Sequence, residues 1–233
     1  IVAGFLLTAV QTWPGRPGLS GPPLMALVLL WLLARLGWLV DAPLWLLLPL
    51  DVVFAPVVAL VMWRALWPVR QSRNYPIVLV LVLFALASLC SHLGIYWQDM
   101  QLHRQGVIAA VWLITALITL IAGRVLPFFT RNGLNLSQTP KPLPWLDHGL
   151  LAVTLLLVVL TLAGTTLQPA AWLGGVFFLL AAGHLLRWVR WFKWAVIRVP
   201  LLWSLHLAYA WLIVAMLAFA LWHLGLISDH SQG

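Results

Sequence analysis

Apolar residues in this chain run in blocks of about 20, the length that carries a helix across the ~30 Å hydrocarbon core of a bilayer. Seven such blocks fall near residues 23–40, 44–67, 76–97, 105–129, 146–167, 170–191 and 200–225. Ile1 to Val10 reads as the last part of a further helix. The expected fold is all-α: a polytopic transmembrane helix bundle of about seven full spans plus one partial N-terminal span. No repeat recurs at a fixed period and no low-complexity linker interrupts the pattern, so residues 1–233 are expected to form a single integral membrane domain. Ile1 is not an initiator, and no basic leader or small-residue cleavage site precedes the first span. The expectation is a fragment of a larger protein.

Prolines and polar residues punctuate the blocks. Pro200 opens its helix where a missing N–H costs nothing. Pro49 and Pro56 fall inside the second full span, where they are expected to bend it and free backbone carbonyls. The longest connection, Arg131 to Trp145, contains Asn132, Asn135, Ser137, Pro140, Pro142 and Pro144, which favour turns over helix.

Composition places these blocks in lipid. The chain is 64% hydrophobic and 8% charged, against about 25% charge in soluble domains. Most of its 16 tryptophans fall at block ends, among them Trp13, Trp38, Trp45, Trp67, Trp97, Trp145, Trp172, Trp191, Trp203 and Trp222. That is the pattern of an interfacial aromatic belt. The lone Cys90 excludes a disulfide framework or a cysteine-rich metal site and reads as a small buried residue.

The net charge of +8 follows the membrane and does not gather into a nucleic-acid patch. Alternate connections carry Arg16; Arg64, Arg70 and Arg73; Arg124, Arg131 and Lys141; and Arg187, Arg190, Lys193 and Arg198, eleven of the 13 basic residues. The opposite side holds Arg35 and Arg104. By the positive-inside rule the basic side is cytoplasmic, and the C-terminal end of the chain emerges on the periplasmic side.

Ionisable residues at depth are costly in lipid and so point to sites. His184 and His206 lie about six residues inside the ends of two helices joined by a short basic turn. At ~1.5 Å per residue both imidazoles sit roughly 9 Å from one membrane face. Arg187, Trp188 and Trp191 share a helix face with His184, and Tyr209 and Ala210 share one with His206. Paired axial imidazoles, aromatic walls and an arginine for a propionate suit a haem between the helices. Gly174, Gly175, Ala181, Ala182 and Gly183 leave room for a bulky group or for close helix contact. The plainer alternative is two histidines hydrogen-bonded to neighbouring backbone or hydroxyls.

A second group, Arg35, Asp51 and His92, is expected at one depth near the outer face, with Ser88, Ser91, Tyr96 and Asp99 on the polar face of His92. Here His92 is either a metal ligand or proton carrier oriented by Asp51, or a neighbour of an Arg35–Asp51 pair that pins two helices. His103 is expected in an outer loop, His148 at a helix start, and His223 and His230 at the outer interface. Copper favours imidazole, so His92 or His223 are candidates for it. No P-loop, dinucleotide fingerprint, H-E-x-x-H motif or Ser/His/Asp set is present, and the last span has no lysine for a retinal Schiff base.

Several segments together resemble the NnrS family of haem- and copper-containing bacterial membrane proteins. They are Ala3 to Val10 running into Trp13-Pro-Gly15-Arg16-Pro17; His92-Leu-Gly94; Gly123-Arg124-Val-Leu-Pro127-Phe-Phe-Thr130-Arg-Asn132; His184-Leu-Leu-Arg187; and Pro200 to Trp211 with His206 and Tyr209. They occur in the family's order across nearly the whole chain. Gln11-Thr12 stands where the family more often has Pro-Asn, and Ala208 where Gly is usual. The resemblance implies a fold of about twelve helices, with a histidine-rich segment before the equivalent of Ile1 and a further histidine helix after Gly233. It also implies a role in nitric oxide tolerance and nitrosative stress, beside denitrification, in the bacterial inner membrane.

The expected function is therefore a haem-binding, inner-membrane protein of nitric oxide metabolism or nitrosative-stress resistance. Haem b is the expected cofactor, with copper a candidate for a second one. The candidate cofactor-binding residues are His184, His206, His92, Arg187 and Tyr209, joined by Arg124 from the family-like segment. The metal ligands among them are His184, His206 and His92. Expected partners are the lipid bilayer, haem, and either nitric oxide or a respiratory complex, with no nucleic acid. The alternatives are an ion- or proton-coupled transporter using Asp51 on its proline-containing helix, or a cofactor-free subunit of a respiratory membrane complex.

Overall fold

A computed structural model describes residues 3–4, 6–8, 19–70, 74–138 and 140–227. Trp13, Arg16, Arg73, His230 and the segment from Gln11 to Pro17 lie outside them, as does half of the partial first span, of which residues 3–4 and 6–8 are helical. The described residues form α1 (Pro22–Leu39), α2 (Leu44–Leu66), α3 (Tyr75–Tyr96), α4 (Met100–Gly133), α5 (Pro144–Leu162), α6 (Ala171–Trp191) and α7 (Pro200–His223). A 3₁₀ turn, Trp194–Arg198, joins the last two, and no strand occurs among the described residues. All seven helices are long and apolar enough to cross a membrane. This is an all-α, multi-pass membrane protein. Large apolar side chains such as Leu79, Leu156, Leu179 and Trp211 are exposed and face what must be lipid, since water would not tolerate so many.

Local sequence sets where the helices begin. Pro22, Pro76, Pro144 and Pro200 stand in the first turns of α1, α3, α5 and α7, where proline's fixed φ is already helical. Pro49 and Pro56 do not end α2, which runs through both. The expected span at 105–129 is longer than its apolar core, because α4 has 34 residues. Asp99 explains the early start: its carboxylate accepts from the N–H groups of Gln101 and Leu102 as an N-cap. At ~1.5 Å per residue α4 is about 51 Å long, well beyond the hydrocarbon core.

The chain divides into two compact units, Ile1–Leu113 and Ile114–Gly233. In the first, α1 packs on α2 and α2 on α3. Only Trp97 to Asp99 separates α3 from α4, and glycines let the two helices close on each other. A Cβ on Gly94 would meet the Asp99 carbonyl at 2.9 Å, and one on Gly106 the Ala87 carbonyl at 2.5 Å. In the second unit α5 packs on α6 and α6 on α7. Gly183 faces Leu150 and Gly174 faces Leu224, each too close for a side chain. Those small residues serve helix contact, the main source of association where lipid replaces water.

Three expectations at helix ends need correction. Trp45, Trp67, Trp97, Trp145, Trp172 and Trp203 are exposed as a belt requires, but Trp191 is buried. His103 is inside the first turn of α4, where its Nδ1 lies 2.9 Å from Ser91 Oγ on α3. Asp99 lies beyond α3 and caps the next helix, so it is not on the polar face of His92.

Candidate functional site

The second unit encloses a buried polar network among apolar helices. His184 and Arg187 come from α6, one turn apart, and His206 and Tyr209 from α7, also one turn apart. Their relative exposures are 0%, 3%, 2% and 2%, so each must find its partners within the protein. His184 Nδ1 lies 2.7 Å from the Tyr209 hydroxyl. His206 Nε2 lies 3.0 Å from Thr130 Oγ1, near the end of α4. The Trp188 indole N–H donates to the His206 carbonyl at 3.0 Å, and the rings of Trp188 and Phe192 meet the His206 imidazole edge to face. Each histidine is thus held through one ring nitrogen by a hydroxyl of another helix.

Arg187 is the charge at the centre. Its Nη2 donates to the Thr119 carbonyl at 3.2 Å, and its guanidinium lies 4.7 Å over the Trp191 ring. Its Nε approaches Asp147 Oδ1 at 3.0 Å as an ion pair, off the line that a hydrogen bond needs. Gly123 makes the space: a Cβ there would collide with Nη2. Arg124 follows on α4 and is half-buried.

Four nitrogens of this network are buried without a hydrogen-bond partner: His184 Nε2, His206 Nδ1, and Nε and Nη1 of Arg187. Such groups cost ~1–3 kcal/mol each when left unsatisfied. The two imidazole nitrogens are the lone-pair donors that a metal centre takes, and Nη1 of Arg187, the guanidinium nitrogen with neither a hydrogen bond nor the Asp147 ion pair, suits an anionic substituent. In donor chemistry, though not in any space open between the packed helices, these groups are of the kind a haem takes.

In the first unit, Asp51 on α2 collects three donors. Arg35 donates to Oδ1; the Trp38 indole N–H donates to Oδ2 at 2.6 Å; and His92 Nε2 lies 3.2 Å from Oδ2. His92 Nδ1 sits 2.7 Å from the Ser88 carbonyl, so both of its ring nitrogens are occupied. The structure thus brings Arg35, Asp51 and His92 together as one cluster pinning α1, α2 and α3. A metal at His92 would first have to displace one of these partners.

His184 and His206 stand on the packed pair α6 and α7, as the hairpin reading requires, yet their rings take separate partners. His223, expected at the interface, is buried instead: it stacks on Phe177, with ring centroids 5.2 Å apart, and accepts from the Ala170 N–H at 3.3 Å. Three functional neighbours escaped sequence reasoning. Thr130 was visible only as part of a motif. Asp147 was findable as the sole carboxylate between residues 114 and 227, the natural partner for a buried arginine. Gly123 carried no signal of its own. Among the described residues no three of His, Cys, Asp or Glu are grouped to hold a metal ion.

Comparison with known proteins agrees with this architecture. No match was found among curated proteins or among solved structures. A family model described as NnrS protein matches residues 1–233, the whole chain, which therefore belongs to the NnrS family.

Proposed function

We propose that this chain binds haem in its second unit and acts in nitric oxide metabolism or resistance to nitrosative stress. The observation that carries the reading is the pair of buried, unpartnered ring nitrogens, Nε2 of His184 and Nδ1 of His206. Membership of the NnrS family is consistent with a nitric-oxide-related membrane protein. The link to denitrification and the bacterial inner membrane rest on the same resemblance.

His184 is the first ligand. Tyr209 fixes its tautomer and ring plane through Nδ1, as the partners of ligating histidines do. His206, oriented by Thr130, is the second. Arg187, Tyr209 and Arg124 bind the periphery, with Arg187 offering the unpartnered Nη1 to a propionate while Nε stays on Asp147. When bound, haem would supply an iron able to take up a small ligand or to pass an electron. Copper remains a second candidate cofactor, because imidazole suits it. Haem asks less of the protein, since it brings four nitrogen donors of its own.

The test is an optical spectrum of the detergent-purified chain, oxidised and reduced, with and without nitric oxide. A Soret band that shifts with nitric oxide and disappears in His184→Ala is expected. A colourless, metal-free protein overturns the reading. It would then favour a transporter built on Asp51, which stands on the proline-containing candidate span α2.

A further inference from the structure

The ends of α4 and α6 and the segment leaving α4 border a half-open cavity of about 250 Å³ in the second unit. Arg131, Arg190 and Lys193 supply its charge, and Pro127, Leu136 and Trp191 an apolar wall. No carboxylate lines it. Asp147, the sole acidic residue between 114 and 227, is already paired with Arg187. The cations have neutral partners at best. Arg131 donates to Asn132 Oδ1 at 3.1 and 3.2 Å, and Arg190 donates to the Lys141 carbonyl at 2.8 Å, which pins the connection against the cavity. Lys193 is exposed. Three basic residues therefore line one concavity with no counter-charge from the described residues.

The surroundings favour a lipid over a soluble anion. Phe128 and Trp194, next in sequence to the lining residues Pro127 and Lys193, are 48% and 81% exposed. Acyl chains thus have apolar surface beside the charged mouth. Basic pockets between spans at the headgroup level are the usual recognition sites for anionic lipids.

We propose that this cavity binds the phosphodiester headgroup of an anionic phospholipid, with Lys193, Arg190 and Arg131 around the phosphate. The site is distinct from the imidazole pair, although two of its lining residues reach that network: Thr130 contacts His206, and Trp191 lies under the Arg187 guanidinium. A cofactor carboxylate is thus the rival occupant.

The full chain is reconstituted in phosphatidylcholine nanodiscs containing a minor fraction of phosphatidylglycerol, and retained lipids are counted by native mass spectrometry. Lys193→Gln, at an exposed position, should reduce phosphatidylglycerol retention about fivefold, equivalent to ~1 kcal/mol per basic residue beside anionic lipid. Arg64→Gln, which removes a basic residue of the first unit, should leave it unchanged. The proposal is overturned if Lys193→Gln retains the lipid, or if Arg64→Gln loses as much. Displacement of phosphatidylglycerol by millimolar inorganic phosphate would assign the cavity to a soluble anion instead. Loss of pigment with lipid retention intact would assign it to the cofactor.

Discussion

The guanidinium of Arg187 on α6 occupies the space that a side chain at Gly123 on α4 would fill. A glycine of a family-like motif and an arginine 64 positions later thus form one packing unit. Gly123→Ala must push Nη2 away from the Thr119 carbonyl and the Trp191 ring. Overpacking of this kind costs ~1–3 kcal/mol, to be read as a lower unfolding midpoint in detergent. Gly149→Ala, where a Cβ meets nothing within 4 Å, is the control and should be close to neutral.

The Arg187–Asp147 pair is unequal, since Arg187 is 3% exposed and the Asp147 side chain 37%. Removing the carboxylate strands a buried cation, whereas removing the cation leaves a carboxylate that can still hydrate. Asp147→Asn should therefore destabilise more than Arg187→Met. The double variant should regain most of the loss, because an apolar replacement for a buried pair is often neutral. A double-mutant cycle on chemical denaturation decides it. Additive losses would mean that the two residues are not coupled.

Tyr209→Phe keeps the ring and removes the hydroxyl 2.7 Å from His184 Nδ1. His184 would then have neither ring nitrogen satisfied, at a cost of ~1–3 kcal/mol. On the proposed function the same variant should weaken haem retention ~10–100-fold, the usual effect of removing the partner that orients a ligating histidine. Titration of haem into the purified variant, followed at the Soret band, measures this. Unchanged affinity would place the cofactor elsewhere.

How much of this was readable beforehand depends on the range of the interaction. The spans were legible because hydrophobic length is a local property, and the pairing of α6 with α7 followed from a short turn. Arg35, Asp51 and His92 were legible as a cluster because charges at equal depth in lipid have few other places to go. The partners of His184 and His206 were only half legible. Tyr209 could be found by helical spacing along α7, but Thr130 is 76 positions from His206, and nothing local signals that contact. The ends of α4 were misjudged because Asp99 and the polar first turn extend a helix beyond its apolar core. His223 was misplaced because its position at the end of α7 suggested an interface, whereas stacking on Phe177 draws it inward.

Thr130→Val tests the remaining link, between α4 and α7. Valine matches threonine in shape, so the packing near Pro127 should survive while the hydroxyl 3.0 Å from His206 Nε2 is lost. His206 already has an unpartnered Nδ1, so the variant leaves both of its nitrogens unsatisfied in a site that is 2% exposed. A loss of ~1–3 kcal/mol is expected from the buried nitrogen alone. If His206 is a ligand, its freed ring can also reorient, so reduced wild-type and variant proteins should differ in absorption maximum. Identical spectra together with the predicted loss of stability would make the Thr130–His206 contact purely structural, leaving His184 as the ligand to which the proposal is tied.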